Sequence, residues 1–334
     1  MGDTNPKIAV LGAGSWGTAL AILLARNGAN VMLWGLAREV EALIRDGENS
    51  YFLPGVSFPQ NLQPTADLKQ AVATADEVLV VVPSHVFPAV LSDVEPLLQP
   101  ETTLSWATKG LEKQSGELLS SVAQKILGER PIGIISGPTF AGEVARDMPT
   151  AVTVASTSTE HAERLAGYLH SDRFRAYSSD DIVGLQIGGA AKNVMAIAAG
   201  IADGLNFGAN TRAALITRGL AEIMRLGQAM GGKAETFMGL AGLGDLALTC
   251  TDNQSRNRRM GLALAAGKSI AQAKEEIGQE VEGVDAAKVI YNKAKELGIE
   301  MPITEQTYNV LYQGLDPKLA VQNLFGRDQR PETE

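Results

Sequence analysis

Residues 7–28, KIAVLGAGSWGTALAILLARNG, contain the transition that decides the fold. The apolar run at residues 7–11 predicts a β-strand, and residues 15–27 predict a helix that ends at Gly28. A glycine-rich turn separates the two elements. A strand that passes through such a turn directly into a helix is typical of the opening of a βαβ unit.

The turn itself, Gly12-Ala13-Gly14-Ser15-Trp16-Gly17, has the pattern G-x-G-x-x-G. Gly12 permits the tight turn, Gly14 lets the backbone approach a pyrophosphate, and Gly17 lets the helix pack on the strand. The pyrophosphate then sits at the helix N-terminus near Ser15, where N–H groups and the helix dipole favour an anion. A glycine-rich turn without a ligand is the alternative, but the position between a strand and a helix favours a dinucleotide site.

Further apolar runs predict strands at residues 29–34, 77–82, 102–107, 132–135 and 151–155, with helical stretches between them. Strands separated by helices predict right-handed crossovers and a parallel sheet. After about residue 180 only long helical patterns remain. We therefore predict an α/β fold, with a Rossmann-type doubly wound parallel sheet in residues 1–182 and an all-α C-terminal domain in residues 183–334. The polar end, residues 327–334, is predicted to fray.

The composition excludes several classes of protein. The chain has 334 residues, with 29 basic and 38 acidic side chains and a formal net charge of -9, which disfavours a nucleic-acid partner. One cysteine, Cys250, excludes a disulfide framework, and three dispersed histidines make a metal site improbable. Residues 8–25 carry no charge, but their glycine and hydroxyl residues fit no signal peptide or membrane span. We expect a cytoplasmic protein without metal or membrane insertion, assembled as a homodimer.

The end of the predicted second strand bears on the type of dinucleotide. An NAD-binding site would place an acid there to bind the ribose 2′-hydroxyl. The sequence instead runs Leu33-Trp34-Gly35-Leu36-Ala37-Arg38, and the first acid is Glu39. The lack of an acid at the end of the strand, together with Arg38 close by, suits a 2′-phosphate and therefore NADP(H). The alternative is that Arg38 opens a solvated helix and contacts no ligand.

Lys192 lies in a helix of small apolar residues, IGGAAKNVMAIAAGIA at residues 187–202. A helix that is apolar all round is buried, and an ammonium group there is costly unless it is paired or lines a cleft. We interpret Lys192 as a general acid that protonates the alkoxide formed when hydride reaches a ketone carbon. A lysine that snorkels at a domain edge is the alternative.

Residues 251–259, TDNQSRNRR, predict a polar loop with three arginines and one acid. The planar guanidinium of arginine matches phosphate, and Ser and Asn side chains donate further hydrogen bonds. A solvated connection between helices is the alternative. The preceding glycine-rich segment, residues 239–245, predicts a tight turn that presents Asp245 to a cleft, where it pairs with Lys192. Asp245 could instead cap the next helix.

These motifs, taken in order, resemble the soluble bacterial NAD(P)-dependent glycerol-3-phosphate dehydrogenases. The matching segments are Gly12-Ala13-Gly14-Ser15-Trp16-Gly17-Thr18-Ala19, Val81-Val82-Pro83-Ser84, Ala107-Thr108-Lys109-Gly110, Ser136-Gly137-Pro138-Thr139-Phe140-Ala141, Ala191-Lys192-Asn193, Ala241-Gly242-Leu243-Gly244-Asp245, Asn253-Gln254-Ser255-Arg256-Asn257 and Val281-Glu282-Gly283. One departure is Leu36, because members of the family often carry His or Arg directly after the glycine at the end of the second strand.

The resemblance implies reversible reduction of dihydroxyacetone phosphate to sn-glycerol 3-phosphate by NAD(P)H, with Lys192 as the proton donor. It implies substrate contacts from Lys109, Gly137, Thr139, Lys192, Asp245, Ser255, Arg256 and Asn257. It implies cofactor contacts from Ser15, Trp16, Lys109, Ala141, Arg256, Glu280 and Glu282, beside Gly12, Gly14, Gly17 and Arg38 from the motif reasoning above.

Two alternatives remain open at this point. A 3-hydroxyacid or 6-phosphogluconate dehydrogenase would share the dinucleotide domain, the helical domain and a catalytic lysine. A dinucleotide sensor without activity would share the first domain, although a buried lysine would be a liability there. The arginine-rich segment favours a phosphorylated substrate, with substrate and nicotinamide meeting between the carboxyl edge of the sheet and the helical domain.

Overall fold

The computed structural model describes residues 5–329 and residue 331, so the expectation of a frayed end falls partly outside the described residues. The chain divides into two compact units. The first consists of the described residues up to Glu112 together with Glu117–Gln186, and the second of Lys113–Gly116 together with the described residues from Ile187 onward.

The first unit is an α/β layer structure. Its strands are β1 (Lys7–Leu11), β2 (Asn30–Trp34), β3 (Glu48–Asn49), β4 (Leu53–Ser57), β5 (Leu62–Thr65), β6 (Glu77–Val80), β7 (Thr103–Trp106), β8 (Ile132–Ser136), β9 (Thr150–Ser156) and β10 (Phe174–Ser179). Its helices are α1 (Ser15–Arg26), α2 (Ala37–Asp46), α3 (Leu68–Val72), α4 (Phe87–Val94), α5 (Leu119–Leu127), α6 (Ala141–Ala145) and α7 (Thr159–Leu169).

Eight of these strands form one sheet in the order β10-β9-β8-β7-β6-β1-β2-β5, and β3 pairs with β4 in a separate hairpin. The order β5-β2-β1-β6-β7-β8 is that of a doubly wound dinucleotide-binding sheet, which confirms the predicted fold class. The strand order reverses between β1 and β6, so the turns that follow these two strands meet at one crevice on the carboxyl edge. Strand β1 and helix α1 are buried in the core of this unit.

One pair of strands departs from the prediction of an all-parallel sheet. Strand β9 runs antiparallel to β8, with Ser136 opposite Thr153. Between them lies only the five-residue helix α6, which is too short to return the chain to the opposite edge of the sheet. The connecting residues 137–149 therefore stay at the carboxyl edge of β8, which is the edge that carries the crevice.

The described residues of the second unit form helices and the connections between them, without a strand, as predicted. Its helices are α8 (Ile182–Gly204, which begins in the first unit), α9 (Gly208–Ala229), α10 (Ala234–Met238), α11 (Asp245–Thr251), α12 (Arg256–Ala265), α13 (Ile270–Ile277), α14 (Glu282–Glu296), α15 (Pro302–Tyr312) and α16 (Pro317–Phe325). A π-helical turn, Leu240–Gly244, precedes α11.

Helix α8 is packed closely on its neighbours through glycines. A Cβ on Gly188 would lie 2.4 Å from the carbonyl oxygen of Ala241, and a Cβ on Gly200 would lie 2.1 Å from that of Arg258. On the facing helix α12, a Cβ on Gly261 would lie 2.1 Å from the carbonyl oxygen of Ile197. The absence of side chains at these points lets the π-helical turn and α12 approach α8 backbone to backbone.

By length and composition, Ile182–Gly204 is also the one helix of the described residues that could cross a membrane, but 89% of its apolar window is buried inside the protein. Packing within the protein therefore accounts for its apolar composition.

Candidate dinucleotide and substrate sites

The three glycines of the first turn are required for different reasons. Gly12 has φ +122°, and a Cβ there would lie 2.4 Å from the carbonyl oxygen of Val81 after β6. A Cβ on Gly17 would lie 1.9 Å from the carbonyl oxygen of Gly12. A Cβ on Gly14, in contrast, would meet no atom within 4 Å. Gly12 and Gly17 therefore serve the protein's own packing, whereas Gly14 leaves open space beside the backbone.

The N-terminus of α1 begins beside that open space. Gly14 is the N-cap and has no side chain to cap the helix, and the first turn holds no acidic residue. The N–H groups of Ser15, Trp16 and Gly17 occupy the first three helical positions, which have no partner within a helix. The Nε1 atom of Trp16 is buried and has no hydrogen-bond partner among the described residues. These features fit the pyrophosphate of a dinucleotide.

At the end of β2, the chain passes Gly35 into α2. A Cβ on Gly35 would lie 2.7 Å from the Cβ of Ala13, so a side chain there would press on the dinucleotide turn. Arg38 is exposed at the second position of α2, and Leu36 is 51% exposed. The carboxylate of Glu39 lies 3.8 Å from the position that a Cβ on Gly35 would occupy. An acid and an arginine are thus both present where the adenosine ribose would bind.

A second group of predicted residues meets at the carboxyl edge of β7 and β8. The Lys109 ammonium donates a hydrogen bond to the carbonyl oxygen of Gly137 at 3.2 Å, and the Thr139 hydroxyl donates to the same oxygen at 3.3 Å. Thr108 is buried and donates to the carbonyl oxygen of Val82 at 2.8 Å, which fixes the segment that carries Lys109. The next predicted residue, Ala141, is the first residue of α6.

In the second unit, Lys192 is buried and paired. Its ammonium lies 2.5 Å from Oδ1 of Asp245 and donates to the Thr249 hydroxyl at 2.8 Å. Lys192 is 7% exposed and Asp245 is fully buried, so the carboxylate compensates an ammonium charge that water cannot reach freely. The snorkelling alternative for Lys192 is therefore wrong, and the predicted pairing with Asp245 is present.

The local structure around Asp245 differs from the predicted tight turn. Residues 240–244 form a π-helical turn that leads directly into α11, because the glycines there allow the backbone to press against its neighbours. Asp245 is the first residue of α11, directly after the N-cap Gly244, and its Oδ1 atom accepts hydrogen bonds from Lys192 and Thr249. Thr249, four residues later on the same face of α11, was not among the predicted residues, although the i, i+4 spacing from Asp245 would have pointed to it.

The predicted polar loop at residues 251–259 is only partly a loop. Thr251 ends α11, and Arg256 already begins α12. Ser255 is the N-cap of α12, and its hydroxyl accepts a hydrogen bond from the N–H of Arg258 at 3.1 Å. Ser255, Asn257 and Arg258 are buried, whereas Thr251, Asn253 and Gln254 are exposed, so the alternative of a solvated connection applies only to the residues before Ser255.

The three arginines of this segment have different surroundings. Arg258 donates to the carbonyl oxygen of Cys250 at 3.1 Å, to the side chain of Asn253, and to the carboxylate of Asp203 at 2.5 Å. Its guanidinium is thus used inside the protein, where it joins the ends of α8 and α11. The remaining arginines, Arg256 and Arg259, are partly buried, and Nε of Arg259 has no partner among the described residues.

Arg256 is a half-buried cation with two carboxylates in its surroundings. Burial lowers the pKa of its guanidinium, and the nearby carboxylates of Glu282 and Glu280 only partly oppose this effect. Glu282 is the first residue of α14, and Glu280 lies exposed just before it. A partly buried cation at the N-terminus of a ten-residue helix suits a phosphate group.

Asn257 connects two further predicted segments. Its side-chain amide donates to Oδ1 of Asn193 at 2.9 Å, and its Oδ1 accepts from the N–H of Gly283 at 2.9 Å. A Cβ on Gly283 would lie 2.6 Å from that Oδ1 atom, so only glycine fits there. Asn257 thereby ties the residue after Lys192 to the residue after Glu282.

The only cysteine, Cys250, is fully buried near the Lys192–Asp245 pair. Burial raises the pKa of its thiol to about 12. The thiol is therefore neither a nucleophile nor a metal ligand at neutral pH, and no cluster of metal-binding side chains occurs among the residues that the structure describes.

The known proteins that are similar to this chain belong to one family. Residues 7–162 match the family described as NAD-dependent glycerol-3-phosphate dehydrogenase N-terminus, and residues 181–322 match the corresponding C-terminus. The chain is 57% identical over 329 residues to the glycerol-3-phosphate dehydrogenase [NAD(P)+] of Shewanella halifaxensis, covering 98% of this chain and 97% of that one. It is 58% identical over 328 residues to the enzyme of the same name from Aeromonas salmonicida, covering 97% and 98%. A crystal structure of glycerol-3-phosphate dehydrogenase from Coxiella burnetii superposes with a TM-score of 0.94 at 47% identity, covering 97% and 99%.

Proposed function

This chain belongs to the family of NAD-dependent glycerol-3-phosphate dehydrogenases and is an NAD(P)-dependent oxidoreductase that interconverts dihydroxyacetone phosphate and sn-glycerol 3-phosphate, and we propose that Lys192 supplies the proton of this reaction. The product supplies phospholipid synthesis. The observation that carries the proposal is the buried contact of Lys192 with Asp245 and Thr249, which holds a charged ammonium at a fixed point inside the helical unit.

When bound, NAD(P)H supplies the hydride that reduces the carbonyl carbon. Lys192 then stabilises the negative charge that develops on the carbonyl oxygen and protonates it, and in the reverse direction it accepts the proton of the alcohol. Asp245 and Thr249 restrict the ammonium to one position, so little reorganisation is needed as the charge appears.

We propose that the substrate phosphate binds at the N-terminus of α12. Arg256 supplies a partly desolvated cation there, and Ser255 and Asn257 flank it on the backbone. Lys109, Gly137 and Thr139 are proposed as the substrate contacts of the first unit, since they already converge on one carbonyl oxygen. Binding the phosphate would supply remote binding energy that orients the reacting carbon.

The cofactor contacts are proposed from the same geometry. The turn of Gly12, Gly14 and Gly17, with the N–H groups of Ser15 and Trp16, would hold the pyrophosphate. Further contacts are proposed for Lys109, Ala141, Arg256, Glu280 and Glu282. Arg38 would meet the 2′-phosphate of NADP(H), while Glu39, beside Gly35, gives the ribose of NAD(H) a carboxylate partner.

We further propose a division of the chain into a dinucleotide domain at residues 1–182 and a substrate domain at residues 183–334, a homodimeric assembly and a cytoplasmic location. The net charge of -9 and the single buried thiol support a reducing compartment and no nucleic-acid partner.

The test of Lys192 is its replacement by alanine. Removal of one positioned acid costs about 10²- to 10⁴-fold in rate, whereas binding of NADH should be unchanged. Addition of a small primary amine should restore part of the activity of Lys192→Ala, because the amine replaces the lost ammonium. Lys274→Ala, on the exposed face of α13, is the control. A Lys192→Ala enzyme with more than about a tenth of normal turnover would contradict the assignment.

The substrate class is tested by assaying oxidation of NADH and NADPH with dihydroxyacetone phosphate or a 3-oxo acid, and reduction of NAD+ and NADP+ with 6-phosphogluconate. We expect turnover with dihydroxyacetone phosphate alone. Turnover with the carboxylates would favour the 3-hydroxyacid or 6-phosphogluconate class, and no turnover with any of them would favour a sensor.

A further inference from the structure

Asn49 is a buried polar residue of the first unit that the proposed reaction does not use. It is 2% exposed and lies in the short hairpin of β3 and β4. Its side-chain amide donates to the carbonyl oxygen of Ala13 at 2.9 Å and to the hydroxyl of Thr18 at 2.8 Å. Its Oδ1 atom accepts a hydrogen bond from the N–H of Phe52 at 3.0 Å. Three hydrogen bonds thus fix this side chain against the dinucleotide turn.

The contact with Ala13 determines the orientation of one peptide unit. In a planar trans peptide, the C=O and the following N–H point in opposite directions. Because Asn49 holds the carbonyl oxygen of Ala13 on the interior side of the turn, the N–H of Gly14 points to the other side. The N–H of Gly14 thus points away from the buried Asn49 and Thr18, and a Cβ on Gly14 would meet no atom within 4 Å, so there is open space beside this residue.

Thr18 supports the same orientation from within α1. It is fully buried, and its hydroxyl accepts from Asn49 and lies 3.4 Å from the carbonyl oxygen of Ala13, to which it donates. Asn49 and Thr18 therefore share one acceptor, and a change in either alters the way this peptide is held. Without Asn49, the Ala13–Gly14 peptide could rotate toward solvent at small cost, since glycine allows a wide range of backbone angles.

We infer that Asn49 is a positioning residue for the cofactor: it sets the Ala13–Gly14 peptide so that the Gly14 N–H faces the pyrophosphate before the dinucleotide binds. This inference rests on the proposed function, in which the turn holds the pyrophosphate. Asn49 is buried and acts through the Ala13–Gly14 peptide, not as a contact of the cofactor or substrate. Because Asn49 orders the turn in advance, the free-energy cost of ordering it does not reduce the affinity for the cofactor.

The chain offers a matched control in Asn61. Its side-chain amide also donates to two carbonyl oxygens of the α1 region, those of Ala25 at 2.8 Å and Ala29 at 2.6 Å. Ala25 lies in the last turn of α1 and Ala29 lies just beyond the helix, so both acceptors are at the end that is remote from the glycine turn. Asn49 and Asn61 thus make similar contacts with opposite ends of one helix.

The experiment measures dissociation constants of NADH and NADPH, by titration of protein fluorescence, for Asn49→Ala, Asn49→Asp and Asn61→Ala. Thermal unfolding of each variant is recorded in parallel. Asn49→Ala should weaken binding of both cofactors by about 3- to 10-fold, the range expected for loss of one hydrogen bond. Asn49→Asp should weaken it at least as much, because a carboxylate cannot donate to the carbonyl oxygen of Ala13. Asn61→Ala should lower the unfolding temperature without a change in cofactor affinity.

The KM for dihydroxyacetone phosphate and kcat at saturating cofactor should stay within about twofold in both Asn49 variants, since the effect is confined to binding of the cofactor. Equal cofactor affinities of Asn49→Ala and Asn61→Ala would overturn the inference. If Asn49→Ala does not fold, Asn49→Asp, which keeps the side-chain volume and the acceptor for Phe52, decides the question.

Gly14→Val distinguishes failure of this inference from failure of the proposed function. Gly14 has φ -72°, and a Cβ there meets no protein atom, so valine would obstruct the bound dinucleotide without straining the turn. If Gly14→Val loses cofactor affinity and Asn49→Ala does not, only the role of Asn49 is wrong. If Gly14→Val also binds normally, the dinucleotide does not bind at this turn.

Discussion

Arg256 and Arg258 lie two residues apart in the sequence but differ in their contacts with the rest of the protein. Arg258 donates hydrogen bonds to Asp203, Asn253 and the backbone of Cys250, whereas the partly desolvated guanidinium of Arg256 has the carboxylates of Glu282 and Glu280 in its surroundings. The sequence pattern could not separate them, because both belong to one polar run. The hydrogen bonds in the structure distinguish the two residues, because an arginine whose donors are satisfied inside the protein does not require a ligand.

Arg256→Lys should lower kcat/KM for dihydroxyacetone phosphate by about 10- to 150-fold, because lysine keeps the charge but loses the fork that binds phosphate through two hydrogen bonds. Steady-state assays with dihydroxyacetone phosphate and with unphosphorylated dihydroxyacetone check this. The unphosphorylated substrate has no phosphate to lose, so its already low rate should hardly change. If both substrates are affected alike, Arg256 does not bind the phosphate.

Arg38→Ala tests the choice of cofactor. The exposed guanidinium at the start of α2 should contribute to binding of a 2′-phosphate only. We expect a higher KM for NADPH and a nearly unchanged KM for NADH. Equal changes for the two cofactors would show that Arg38 does not discriminate between them. Glu39→Gln is the complementary variant, in which NADH should be the cofactor that is affected.

At the scale of elements, the glycines of α8 and α12 make a prediction about packing. An alanine at Gly200 would place its Cβ 2.1 Å from the backbone oxygen of Arg258, which cannot move aside without shifting α12. Overpacking of this kind costs about 1–3 kcal/mol or more. Urea unfolding of Gly200→Ala should show this loss, and the KM for dihydroxyacetone phosphate should rise because α12 carries Arg256.

Gly167→Ala is the control for that experiment. Gly167 also lies inside a helix, α7, but it is exposed, and a Cβ there would meet no atom within 4 Å. Alanine should stabilise the protein by roughly 0.5–1 kcal/mol, because it lowers the entropy lost on folding. A destabilised Gly167→Ala, or an unchanged Gly200→Ala, would contradict the packing argument.

The elements that were predicted from sequence are those with strong apolar periodicity. Strand β1 occurs at the predicted residues 7–11, and α8 contains the predicted helix at residues 187–202. Strands β5 and β10 were missed because they lie at the two edges of the sheet, where one side of each strand has no neighbour and polar residues are tolerated. Pro64 within β5 is allowed only at such an edge.

The candidate site was predicted from the sequence only in part. Lys192 stood out because a charge in an apolar helix is costly, and its pairing with Asp245 followed from that cost. Thr249 and Asn49 did not stand out, since a threonine or asparagine is common in any segment. Their importance depends on contacts with residues distant in sequence, which only the fold reveals.

At the scale of the whole molecule, one buried acid couples stability to pH. Glu222 of α9 is 2% exposed and accepts hydrogen bonds from the N–H groups of Ile303 and Thr304 at the start of α15. Burial raises the pKa of its carboxyl from 4.5 to about 7, although these hydrogen bonds act in the opposite direction. Between about pH 4.5 and pH 7, the folded protein therefore keeps a proton on Glu222 that the unfolded chain has already released.

The consequence is a loss of stability as the pH rises. The contribution of Glu222 is complete below the pKa of the unfolded chain and is lost as the pH passes the raised pKa of the folded state, with a total of about 3 kcal/mol at most. Urea unfolding of the native protein and of Glu222→Gln at pH 5 and pH 8 checks this, with exposed Glu160→Gln as the control. The free energy of unfolding should fall less between pH 5 and pH 8 in Glu222→Gln than in the native protein, by up to that amount. Identical pH dependence in all three proteins would contradict the shift.

The burial of Cys250 makes the enzyme a convenient host for site-specific probes. Its only native thiol is sealed from solvent, with a pKa near 12, and should not react with maleimides or iodoacetamide while the protein is folded. A cysteine introduced at an exposed position, such as Leu319 or Phe325, would then be the single reactive thiol of the chain. A fluorophore or spin label could report from one chosen point during turnover, and no native residue would first have to be removed. In the unmodified enzyme, slow reaction of Cys250 with a thiol-specific dye would report any opening of the helical unit.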